Sequence, residues 1–100
     1  MKFTLSAFSV ALLASTTSAW SLKFYDTSGR VATSSGTLDS GCKTLSWSPA
    51  LNVNKVTFDQ GIQGTFELYV NTGCSGLSYR NGGGTWTLTP ARVIRSYKVY

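Results

Sequence analysis

Apolar and polar residues alternate in short runs along most of this chain, and almost nowhere do apolar residues recur at helical spacing. The alternation predicts strands over Leu22–Tyr25, Val31–Thr33, Lys43–Trp47, Val53–Phe58, Thr65–Val70, Leu77–Arg80, Thr85–Leu88 and Val93–Val99. These runs are rich in the β-branched and aromatic residues that suit a pleated, half-buried surface. Turn residues part them at Ser28-Gly29, Ser35-Gly36, Ser48-Pro49, Gly61 with Gly64, the 71–76 stretch, Gly82–Gly84 and Pro90. Short strands at this spacing indicate an all-β sandwich or barrel.

"FELYVNTGCSG", Phe66–Gly76, starts as a strand and then stops alternating at Asn71. A hairpin that doubles back so tightly has use for glycine where φ is positive, which points to Gly73 and Gly76, with Gly29 as their counterpart earlier in the chain. The counterpart belongs to an internal repeat. At an offset of 41 positions, "LSWSPALNVNKVTF" (Leu45–Phe58) lies over "WTLTPARVIRSYKV" (Trp86–Val99). Leu45 and Trp47 then match Trp86 and Leu88, Pro49-Ala50 matches Pro90-Ala91, and Val53, Val56 and Phe58 fall on Ile94, Tyr97 and Val99. Upstream, "LKFYDTSG" is similar to "FELYVNTG". Two copies of one strand-turn-strand-corner-strand unit make a single domain if each buries its apolar face against the other. A four-strand unit with a folded-over hairpin and a returning last strand is a Greek key.

The N-terminus breaks the pattern. Met1-Lys2, a mostly apolar run from Phe3 to Ala14 and the small residues Thr17-Ser18-Ala19 have the layout of a secretory signal peptide. Cleavage is expected after Ala19, with residues 20–100 forming the mature β-sandwich domain, secreted and extracellular. The run is too short and too hydroxylated for a membrane-spanning helix. A domain of this size often needs a covalent staple. Cys42 and Cys74 are expected to pair in an oxidising compartment, tying one copy of the repeat to the other. Closing the 31 intervening residues is worth about 3–4 kcal/mol by loop entropy.

Without Lys2, eight lysines and arginines face Asp26, Asp39, Asp59 and Glu67. The net charge of +4 favours an acidic partner such as a wall glycan or anionic membrane, although moderate charge also serves plain solubility. No run of three cations occurs, so nucleic-acid binding is not expected.

"FELYVNTGCSGLSYR" resembles the folded hairpin of a βγ-crystallin motif, "RVIRSYKV" resembles its closing strand, and "NVNKVTF" the same strand in the first copy. The resemblance, to the single-domain secreted form with two Greek keys, covers nearly the whole mature chain. It implies two Greek-key motifs packed as one sandwich with one disulfide. Members of the family include lens proteins, calcium binders, killer toxins or antifungals, and protease inhibitors, so the fold constrains function weakly. In calcium binders of the family an acidic or amide pair precedes the closing strand, and calcium requires such hard oxygen ligands. Here Ala50-Leu51 and Ala91-Arg92 stand in its place, Lys55, Arg92 and Arg95 add positive charge, and only Ser96 keeps its type. Calcium binding is expected to be lost, and no metal or other cofactor is expected.

The chain has no histidine, which removes the commonest general base and the Ser-His and Cys-His nucleophile systems. Two oxidised cysteines make no tetrahedral zinc site. A carboxylate pair remains conceivable, but Asp26, Asp39 and Asp59 sit beside turn residues and read as turn caps. Gly82–Gly84 is followed by no Lys-Ser/Thr and reads as a strand connection rather than a phosphate loop. A non-enzymatic protein is expected.

Phe24, Trp47, Phe58, Phe66 and Trp86 fall in the inward register and are expected in the core. Tyr25, Tyr69, Tyr79 and Tyr100 are expected at the surface, and Trp20 over a sheet edge or mobile. Tyr79 beside Arg80, with Arg92, Arg95, Lys98 and Tyr100, forms a candidate binding surface, since Tyr and Arg recur in binding hot spots. Ordinary cross-strand pairing would account for the same residues. The expected function is extracellular binding, by an antimicrobial or killer-toxin-like factor or a host-directed effector acting on an anionic cell-surface component or a host protein. The alternatives are a secreted protease inhibitor, using the Asp59–Gly64 linker or the Gly73–Gly76 turn, and a structural wall or spore-coat protein.

Overall fold

A computed structural model describes residues 19–100. All of the leader expected over 1–19 except Ala19 lies outside the described residues. The described chain is all-β, with β1 (Trp20–Asp26), β2 (Val31–Gly36), β3 (Lys43–Thr44), β4 (Leu51–Asp59), β5 (Phe66–Asn71), β6 (Ser75–Asn81), β7 (Gly84–Ile94) and β8 (Ser96–Val99). They form two four-stranded antiparallel sheets, ordered β2-β1-β4-β7 and β3-β8-β5-β6. In each half the fourth strand lies beside the first, and the third pairs within the other half's sheet: β3 joins β8, and β7 joins β4.

The core forms between the two inner faces. Leu22 and Phe24 of β1 and Leu51, Val53, Val56 and Phe58 of β4 face Phe66, Leu68, Tyr97 and Val99 of the second sheet. Phe58 meets Phe66 edge-on at 5.4 Å between ring centroids, and Phe24 lies 5.5 Å from Tyr97. Each fully buried side chain of this kind stabilises by about 1.5–3 kcal/mol. The repeat holds here, since Val53, Val56 and Phe58 and their matches Ile94, Tyr97 and Val99 are all buried. Ser48–Pro49 and Thr89–Pro90, matched in the alignment, are both cis.

Several expectations need correcting. The third strand was expected to run to Trp47, but pairing stops at Thr44, so the alternation no longer sets where Trp47 faces; it is 39% exposed rather than in the core. Pro90 does not end its strand. β7 continues through it to Ile94 along the sheet edge, where a missing N–H costs no ladder bond. The run Val93–Val99 is broken at Arg95, where the chain passes from one sheet to the other and Arg95 bonds to Tyr69 and Leu45 through its backbone. Tyr69, expected at the surface, is only 7% exposed. Its hydroxyl finds a partner in Glu67, which makes its burial tolerable. Trp20 is buried, with its ring against Gly36 and its indole N–H donating to the Leu38 carbonyl at 2.8 Å.

The doubled-back hairpins form as expected. Gly29, Gly73 and Gly76 have φ of 94°, 71° and 74°, and at Gly76 a Cβ would also fall 2.8 Å from Val70. Cys42 and Cys74 are bonded with Cα atoms 5.9 Å apart, within the ordinary disulfide range. The bond joins the β2–β3 loop to the tip of the β5–β6 hairpin. A disulfide in so small a domain is compatible with an extracellular location.

Candidate functional site

The six residues of the candidate surface do not converge. Arg80 and Tyr100 meet on Glu67, with Lys98 opposite Glu67 in the β5–β8 register. Glu67 is buried; its carboxylate accepts from the Tyr69 hydroxyl, from the Tyr100 hydroxyl at 2.7 Å and from Arg80 at 3.5 Å. These bonds, the two tyrosines' first and then Arg80's, hold its carboxyl below the usual range. Burial first, and then Glu67, push the Tyr69 phenol up to about 12. Tyr79 points the other way: half-buried, it packs against Phe66 and lies under the Arg92 guanidinium, which is 5.5 Å from its ring. Arg92 also reaches the Ser78 carbonyl, and Arg95 the Val70 carbonyl, each at 3.0 Å.

A different set of residues forms a concave site. Between β2 and the Lys43–Trp47 segment the sandwich edge opens into a groove of about 430 Å³, lined by Phe24, Ala32, Thr33, Ser34, Lys43, Thr44, Leu45, Ser46, Trp47 and Tyr97 among others. That volume falls within the roughly 300–1,000 Å³ of small-molecule sites. Strand β3 is only two residues long, so the second sheet recedes here and leaves the core residues Phe24, Ala32 and Tyr97 as a floor. A hydrogen bond between the Ser34 and Tyr97 hydroxyls crosses that floor. A second hollow of about 280 Å³ lies beside the first, sharing Ser34, Lys43 and Tyr97 with it and lined also by Trp20, Leu38 and Asp39.

Trp47 at the mouth is held in place. The Arg30 guanidinium lies 5.5 Å from its ring centroid, within cation–π range. Arg30 is itself fixed by Asp26 at 2.8 Å and by the Pro49 and Ala50 carbonyls. Asp26 is buried in the β1–β2 turn, where Oδ1 accepts the Ser28 hydroxyl and N–H at 2.6 Å each, and Oδ2 accepts the Asn52 N–H at 3.0 Å. The bonds from Ser28, with those from Asn52 and Arg30, hold its carboxyl well below the ordinary carboxylate range. A buried charge thus sets the arginine, and the arginine sets the indole.

Sequence reasoning missed this site because Trp47 read as inward. The sequence carried only a weak signal: Ser46, Ser48 and Pro49 surround the indole with turn residues, but Thr87, Thr89 and Pro90 surround Leu88 in the same way and Leu88 is buried. Comparison with protein-family models, curated proteins and solved structures found no match for this chain.

Proposed function

We infer that this is a small secreted, disulfide-stapled, crystallin-like protein that acts outside the cell by binding, as an antimicrobial or killer-toxin-like factor or a host-directed effector. The observation that carries the reading is the groove, a concave site with an aromatic floor, a braced exposed indole and hydroxyl-bearing walls. The strand order supports the crystallin likeness: in each half the fourth strand lies beside the first and the third is lent to the other sheet, as two interlocked Greek keys require. The leader-like N-terminus and the +4 mature charge favour an anionic cell-surface partner. The chain's chemistry fits binding rather than catalysis, with Asp26 and Glu67 each engaged by an arginine.

The test is a dose series of oxidised protein on growing yeast, filamentous fungi and bacteria, beside a reduced and alkylated sample. Killing by the oxidised form alone is expected of a toxin. No effect at any dose retires the antimicrobial reading and leaves the host-directed effector, the inhibitor and the structural protein.

A second reading, a protease inhibitor, draws on Ile62, which is 82% exposed in the Asp59–Gly64 linker. The linker is braced by Gln63 to the Thr37 carbonyl at 3.2 Å and by the Gly64 N–H to the Tyr100 carbonyl at 3.1 Å. Inhibition of a secreted protease that is lost in Ile62→Gly would favour it over the binding reading.

A further inference from the structure

We propose that the sandwich-edge groove takes an acidic oligosaccharide, with one sugar ring on the Trp47 indole and a carboxylate on Lys43. This names the ligand of the binding site described above and rests on that reading.

Trp47 supplies the stacking surface. Arg30 packs against its ring, which fixes the indole's orientation, and its 39% exposure leaves surface for a ligand. A rigid aromatic plane offers a sugar's C–H face a large contact area at little entropic cost. Among the lining residues, Ser34 and Ser46 carry hydroxyls, groups that both donate and accept and so match a sugar's own. A lipid chain would require a continuous apolar channel. Here the lining mixes Phe24, Val31, Ala32 and Leu45 with Ser34, Lys43 and Ser46, so polar groups interrupt the apolar surface.

Lys43 supplies the charge preference. It is in register with Tyr97, whose ring faces the core, so the Lys43 side chain leans between the sheets and lines both hollows. The ion pairs among the described residues use Arg30 and Arg80, not Lys43. A cation leaning into a concave, partly apolar site is suited to an anionic group. Asp39 lines the second hollow but not the first, which favours the first for an acidic sugar.

Calorimetric titration of the oxidised protein with trigalacturonate, and with neutral cellotriose for comparison, tests the assignment. Amide chemical-shift mapping would run on the same samples. Saturable trigalacturonate binding is expected, with shifts at Thr33, Ser34, Lys43 and Trp47. Trp47→Ala should weaken it at least about tenfold, as loss of an aromatic anchor does. Lys43→Gln should abolish the preference over cellotriose, and Arg80→Gln, outside the groove, should change neither. Both groove positions are exposed, so these variants retain the core. No saturable binding of either trisaccharide, or binding indifferent to both groove variants, overturns the proposal. So does a peptide or anionic vesicle occupying the groove in their place. If cells still respond to protein that binds neither trisaccharide, the binding reading stands and only its ligand is wrong.

Discussion

The two doubled-back hairpins share a backbone course and are closed by different chemistry. The β1–β2 turn is closed by a carboxylate of its own, Asp26, which holds Ser28 and Arg30 and reaches out to Asn52 of β4. The β5–β6 turn is closed from outside. Ser96 on β8 is wholly buried, accepts the Cys74 N–H at 2.9 Å and donates to the Asn71 carbonyl, while the disulfide anchors Cys74 to the other half. At the position that the repeat matches to Ser96, the first half has Lys55, which turns outward over the Tyr25 ring. One fold position can thus be secured by an ion network or by a hydroxyl and a covalent tie, and the two must fail under different conditions.

Removing the tie should have the largest effect. Cys42→Ser with Cys74→Ser should lower stability by about 3–4 kcal/mol, measured by urea unfolding. Amide exchange should accelerate first at residues 71–76 and leave Ser28 and Gly29 protected. Equal loss of protection in both hairpins would mean that they are not separately secured. Next comes Ser96→Ala, which strands the Cys74 N–H and the Asn71 carbonyl and should cost about 1–3 kcal/mol, again read locally at the second hairpin.

Asp26→Asn should act on the other turn and more mildly, because Arg30 keeps the Pro49 and Ala50 carbonyls. Its signature is pH dependence. The folded carboxyl lies below its unfolded range, so its contribution is present above the ordinary carboxylate pKa of about 4 and is lost as pH falls below it. The variant should therefore show a flatter acid limb than the parent, and an unchanged acid limb would remove Asp26 from the account. The smallest effect belongs to the alkaline limb. Tyr69 has its pKa raised to about 12, so its contribution holds below about pH 10 and is lost as pH climbs toward 12. Tyr69→Phe should flatten that slope in alkaline unfolding curves, leaving the part that Tyr100, also raised by its bond to Glu67, contributes.

Strands with a buried face on one side were legible in the sequence because alternation records burial directly: Leu22 and Phe24, Val56 and Phe58, Phe66 and Leu68. The disulfide and the positive-φ glycines were legible because few residue types can serve there. Tyr69 was not, since alternation assumes one wet face and this strand is buried on both, with Glu67 and Tyr69 satisfying each other on the second. The groove was least legible. Its floor and walls come from Ala32, Lys43 and Tyr97, residues far apart in the chain, and its serines and threonines look like those of any loop.

The exchange of third strands has a consequence for survival against proteases. The exposed linker at Ile62 invites a cut between the two halves. Such a cut would free neither piece, because each sheet is stitched by a strand from both and the Cys42–Cys74 bond spans the break. The nicked molecule would remain one particle, held by the exchanged strands as well as by the disulfide.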